Sequence, residues 1–123
     1  MAKPKSVLVV DDSRLTRMMI VKMIKTHHND WPITEAASVN EALGCVNSQT
    51  FDFISLDHNM PDGTGYDILP QINIAQPNAH IGIFTANIQA VVKRRFEELG
   101  ATFYGKPINE AMILQFTADR GQS

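Results

Sequence analysis

Residues 51–65 read F-D-F-I-S-L-D-H-N-M-P-D-G-T-G, and the fold turns on them. Phe51, Phe53, Ile54 and Leu56 make a short apolar run of the kind that lies buried in a sheet. The run stops at Asp57, and Pro61, Asp62 and Gly63 then supply strong turn chemistry. A carboxylate at the carboxyl end of a buried strand stands where α/β sheets place their ligands. Taken alone, it is also what an ordinary turn-forming aspartate looks like. Three further apolar runs end in reactive side chains as well: the first in Asp11 and Asp12, the fourth in Thr85, the last in Lys106. In one parallel sheet these ends share a rim carrying three acids, a hydroxyl and an ammonium.

Working outward, Ser6-Val7-Leu8-Val9-Val10 has the continuous apolar pattern of a strand covered on both faces. Ser13 is a candidate cap for a helix to about His27, with Leu15, Met19 and Met23 recurring at four-residue spacing beside Ile20 and Ile24. A polar loop, His28-Asn29-Asp30, precedes a poorer strand over residues 33–37. Ser38 with Glu41 is a capping-box signature for a helix burying Val39, Ala42, Leu43 and Val46. Thr64 is expected to cap a third helix containing Tyr66, Ile68, Leu69 and Ile72. Pro70 there predicts a late start, a bend or a loosened first turn, because it removes a backbone donor.

Ile81-Gly82-Ile83-Phe84 is the fourth strand. Asn87 can cap a helix striped with Ile88, Val91, Val92, Phe96 and Leu99 and stopped by Gly100. Thr102-Phe103-Tyr104 is a short fifth strand, and Asn109 can cap a last helix burying Met112, Ile113 and Phe116 and finishing near Gly121. Alternating strands and helices with short connections predict a parallel sheet between two helical layers, with right-handed crossovers bringing all strand ends to one edge.

The chain has 123 residues, eleven basic and thirteen acidic, for a net charge of −2. That length suits one domain over residues 1–123, with no output domain expected in this chain. The balanced charge does not point to nucleic acid. Cys45 is the sole cysteine, which favours a reducing interior. No run approaches the roughly 18 apolar residues of a membrane span, and the M-A-K-P-K-S start lacks a signal peptide's apolar stretch. The expectation is a soluble, cytoplasmic, monomeric domain.

Asp11, Asp12 and Asp57 brought together would repel strongly: two unit charges 4 Å apart cost about 4 kcal/mol at an effective dielectric of 20. Such a group protonates, pairs or binds a cation, and an open carboxylate site that keeps waters suits Mg²⁺ better than Ca²⁺. With Lys106 and Thr85 facing it, the rim resembles a phosphoryl-transfer site in which a carboxylate attacks phosphorus. Asp57 is the best-placed nucleophile. A calcium loop over residues 57–68 fails on spacing and on Ile68 where a glutamate is required. Acids one residue apart, as in aspartyl phosphatases, are absent from D-D-S-R, no G-x-x-x-x-G-K-[ST] occurs, and an acidic first turn is hostile to a flavin phosphate.

With Asp11-Asp12, Asp57, Thr85-Ala86 and Lys106-Pro107 in this order and spacing, the sequence resembles the receiver domain of bacterial response regulators, most of all the stand-alone chemotaxis type. The match runs from about Ser6 to Ala118. The resemblance implies a doubly wound, flavodoxin-like (βα)5 fold, its five-stranded parallel sheet ordered 2-1-3-4-5. It implies that Asp57 accepts a phosphoryl group from a histidine kinase or a histidine phosphotransfer protein. It implies Mg²⁺ on Asp12, Asp57 and the backbone carbonyl of Asn59, with Asp11 acting mainly through water. Thr85 and Phe103 would be the switch pair, Lys106-Pro107 a cis peptide, and the fourth helix, fifth strand and fifth helix the surface a downstream protein reads. The chain would catalyse only its own phosphorylation and dephosphorylation.

Phe103 lacks the hydroxyl often found at its position. Asn59 and Asn87 flank the expected phosphoryl group and are expected to tune its loss. Trp31 precedes the second strand, far in sequence from Asp57, which predicts a poor fluorescent reporter of metal. Plainer readings stand beside these. Thr85 can be an ordinary strand-end residue, Phe103 simple core, His27, His28, His58 and His80 surface histidines, Lys93-Arg94-Arg95 a solvated face, and Met18, Met19 and Met23 core. The rival functions are an interaction module that has kept the fold without the phosphoryl cycle, and a true turnover enzyme, for which no enclosed substrate pocket is legible.

Overall fold

The computed structural model describes residues 4–86 and 89–118. Five strands lie parallel in one sheet: β1 (Val7–Val10), β2 (Ile33–Ala36), β3 (Phe53–Asp57), β6 (His80–Thr85) and β7 (Thr102–Gly105). Their order is β2-β1-β3-β6-β7, which is the expected 2-1-3-4-5 of the five main strands. A two-residue antiparallel pair that the sequence reading did not foresee, β4 (Asn59–Met60) with β5 (Gly63–Thr64), lies between β3 and the third helix.

Strand residues alternate between two cores, as the period of a β-strand requires. Leu8, Val10, Ile54, Leu56 and Ile83 face one cluster, with α2 (Val39–Ser48), α3 (Gly65–Ala75) and Phe96 of α4 (Ala90–Glu98). Val7, Val9, Phe53 and Phe84 face the other, with Ile20 and Ile24 of α1 (Arg14–His27) and Ile113 and Phe116 of α5 (Glu110–Ala118). Both faces of the sheet are therefore covered, and β1 and β3 are buried along their whole length.

The caps follow the sequence closely. Ser13 accepts from the Thr16 amide, Ser38 from Glu41, Thr64 from Asp67 and Asn109 from Met112. Glu41 turns back to accept from the Ala37 amide rather than from Ser38. Gly100, at φ +83°, ends α4 as expected, since a left-handed residue there favours glycine. Helix α3 starts at Gly65 with Pro70 inside it, so the late start does not occur.

Several expectations need correction. Leu15, Met18 and Met19 are exposed, Leu15 at 67%. Helix α1 carries more apolar residues than one face can bury, and the sheet covers the Ile20–Ile24 side. Val91 and Tyr66 are likewise exposed. Gln89, without a side-chain cap, precedes α4; the proposed cap Asn87 and the stripe residue Ile88 lie outside the described residues, as does Gly121. His28, His58 and His80 are not surface residues: they are half-buried against Trp31, Phe96 and Phe116 respectively. His27 is exposed and pairs with Glu110 at 3.2 Å.

Candidate functional site

The register of the sheet builds the rim. Val10 pairs with Leu56, so Asp11 follows at the level of Asp57. Asp57 pairs with Phe84, which sets Thr85 one step farther. Thr85 pairs with Gly105, and Lys106 comes next, its amide donating to the Thr85 carbonyl at 2.8 Å. Residues 95 positions apart thus meet at one edge: Lys106 Nζ donates to Asp11 Oδ2 at 3.1 Å and to Asp57 Oδ1 at 3.4 Å. The Lys106-Pro107 peptide is cis.

Carboxylate oxygens of Asp11, Asp12 and Asp57 lie within 4.8 Å of one another. Asp11 and Asp57 are buried, and Asp12 is exposed. Burial, then the charge of Asp11, pushes the Asp57 carboxyl up to about 6, against the pull of Lys106. Burial works against the Lys106 ammonium, but its hydrogen bond to Asp11 and the Asp57 charge raise its pKa above the ordinary lysine value. One ammonium faces three acids, so the cluster keeps an excess of negative charge at neutral pH. Hard oxygen donors in this arrangement fit a hard divalent cation of the Mg²⁺ kind.

The donors are not equivalent. Asp11 Oδ1 accepts from the Ser13 amide at 2.8 Å, and Oδ2 is held by Lys106. Both its oxygens are thus already engaged, whereas exposed Asp12 opens to the solvent side of the cluster. Thr85 is fully buried at the end of β6. Phe103 is half-buried and leans on Phe96, ring centroids 6.5 Å apart. Asn59 is exposed, at the start of the short hairpin beside Asp57.

Some supporting residues were missed. Arg17 donates to the Asp11 carbonyl at 2.7 Å while pairing with Glu35 at 3.0 Å, which pins the β1–α1 turn. Gly65 passes so close to the site that a Cβ would stand 2.8 Å from the Asp57 carbonyl oxygen. Asp62 accepts from the amides of Val39 and Asn40. The Asp11–Ser13 contact follows a local Asx pattern that could have been read; the long-range ones left no signal.

Fold and rim together define a doubly wound α/β domain with an acidic, lysine-countered site at the carboxyl edge of its sheet. A family model described as the response regulator receiver domain matches residues 7–118, and the chain belongs to that family, the receiver domains of two-component response regulators. The sensory transduction protein LytR of Staphylococcus epidermidis is 35% identical over 109 residues, covering 88% of this chain and 42% of that protein. The two-component response regulator ORR8 of Oryza sativa is 35% identical over 89 residues, 72% of each chain. The CheY of the Borrelia burgdorferi CheX–CheY–BeF3–Mg complex superposes with a TM-score of 0.90 at 27% identity, over 98% of this chain and 91% of that one. Chemotaxis protein CheY4 of Vibrio cholerae gives 0.83 at 28%, over 96% and 98%. The chain spans about half the length of several curated relatives it matches. Among the described residues no helix is long and apolar enough to cross a membrane.

Proposed function

We propose that this domain is a phosphorylation-driven switch in which Asp57 takes a phosphoryl group from a phosphohistidine of a histidine kinase or phosphotransfer protein. The observation that carries this reading is the contact of Lys106 with both Asp11 and Asp57 within a cluster of three carboxylates. In the transfer, an ionised Asp57 oxygen forms the new bond to phosphorus as the bond from phosphorus to the imidazole nitrogen breaks. Lys106 stays charged and meets the phosphoryl oxygens, and Thr85 donates a hydrogen bond to one of them. Asp12, Asp57 and the Asn59 carbonyl would hold Mg²⁺, with Asp11 reaching it through water because both its oxygens are engaged. When bound, that ion supplies the positive charge that neutralises the phosphoryl oxygens and relieves the repulsion among the acids.

The exposed apolar group Leu15, Met18 and Met19 follows closely on Asp12 along α1, which supports contact with the phosphodonor protein at this end of the fold. Phe103 and Thr85 would carry the change to the face formed by α4, β7 and α5, read by a downstream protein. Exposed Asn59 is suited to orient a water for loss of the phosphoryl group; replacing it with alanine should alter the lifetime of the phosphorylated form.

Incubation with a small phosphodonor and Mg²⁺ followed by intact-mass analysis tests the switch. One added phosphoryl mass is expected in the wild type and none in Asp57→Asn. An unmodified wild type, or labelling that survives the substitution, overturns it in favour of an interaction module that works without phosphate.

A further inference from the structure

The first amides of a helix have no partner within it, and a local cap such as Ser38 answers only one of them: its Oγ accepts from Glu41. In α2 the two amides before that are also answered, from far along the chain. Asp62 Oδ1 accepts from Val39 at 2.9 Å and Oδ2 from Asn40 at 3.1 Å. Asp62 itself belongs to the two-residue tip between β4 and β5. The residue beside it, Gly63, lies against the same helix start, for a Cβ there would stand 3.2 Å from Val39 Cγ2. At its base the hairpin is closed by the Gly65 amide on the His58 carbonyl at 2.7 Å. Asn59 is held between these two anchors, opposite Thr64.

We propose that Asp62 is a positioning residue for the metal site: it caps α2 from across the fold, and so fixes the hairpin whose Asn59 carbonyl would serve as a ligand. This rests on the Mg²⁺ reading above. Asp62 is not one of the three clustered acids, so its effect passes through the backbone it anchors and not through coordination. Without the carboxylate, the tip loses both hydrogen bonds to α2, and the hairpin is left with its own short pairing, its base contact and the packing of Met60 and Gly63.

Calorimetric titration with MgCl2 tests the assignment in the whole chain. Asp62→Ala is expected to weaken Mg²⁺ binding by about tenfold, as loss of partners that orient metal ligands commonly does, and Asp62→Asn, which keeps an acceptor oxygen, to recover part of it. Ser38→Ala removes the local cap of the same helix without touching the hairpin; it should lower the melting temperature and leave Mg²⁺ affinity unchanged. Unchanged affinity in Asp62→Ala overturns the inference alone, as does an equal loss in Ser38→Ala, which would mark the effect as mere helix loosening. A wild type without saturable Mg²⁺ binding overturns the metal reading and the inference with it.

Discussion

Burial makes the negative charge of Asp57 costly. Its folded pKa of about 6 stands above the ordinary 3.8, so the native protein binds this proton more tightly than the unfolded chain does. Stability accordingly falls as pH rises through that window, and the penalty is complete above about pH 6. In metal-free protein at pH 7.5, Asp57→Asn should therefore stabilise the fold, by about 3 kcal/mol at most, and the gain should vanish below about pH 4. Denaturant unfolding of both variants at the two pH values checks this. Lys106→Met has the opposite sign: it strips the counter-charge from two buried carboxylates and should cost about 2 kcal/mol at neutral pH. At Gly65 the restriction is steric, because a Cβ would meet the backbone oxygen of Asp57 itself. Gly65→Ala should cost about 1 to 3 kcal/mol and disturb phosphoryl acceptance together with stability.

At the scale of elements, α2, α3 and β3 are tied by one buried amide side chain. Gln76, just past the end of α3, accepts from the Phe51 amide at 3.0 Å and donates to the carbonyls of Val46 at 2.8 Å and Gln49 at 2.6 Å. Gln76→Leu leaves a buried amide without its partner and should destabilise by about 1 to 3 kcal/mol, measurable by thermal melting with the labelling of Asp57 intact. Elements were the most legible part of the chain. The caps Ser13, Ser38, Thr64 and Asn109 could be read because a cap and its amide lie within three residues of each other. Leu15 and Met19 misled because their spacing is as regular as that of Ile20 and Ile24; which stripe meets the sheet depends on how the whole helix is rolled. The hairpin at residues 59–64 looked like a plain turn, since two-residue strands have no periodicity to detect.

For the molecule as a whole, Mg²⁺ should act as a ligand of the native state only. At ten times its dissociation constant it should add about 1.4 kcal/mol of stability, raising the melting temperature by several degrees, with little gain in Asp57→Asn. Trp31 should report the unfolding but not the binding. It stacks between His28 at 3.7 Å and Phe53 at 5.4 Å, just before β2 at the end of the sheet opposite the rim. Its emission should stay constant as Mg²⁺ is titrated into folded protein; a saturable change would contradict that placement.

By itself the sequence determined the alternation of strands and helices, the apolar runs long enough to be covered on both faces, and the reactive residues that end four of the five main strands. These are local properties, written in side-chain period and turn chemistry. Tertiary structure alone decided the distances: that Lys106 bends back to both Asp11 and Asp57, that burial lifts the Asp57 carboxyl, that Asp62 caps a helix begun 23 residues earlier. Such facts depend on register and on the packing of elements remote in the chain, and no window of sequence contains both partners.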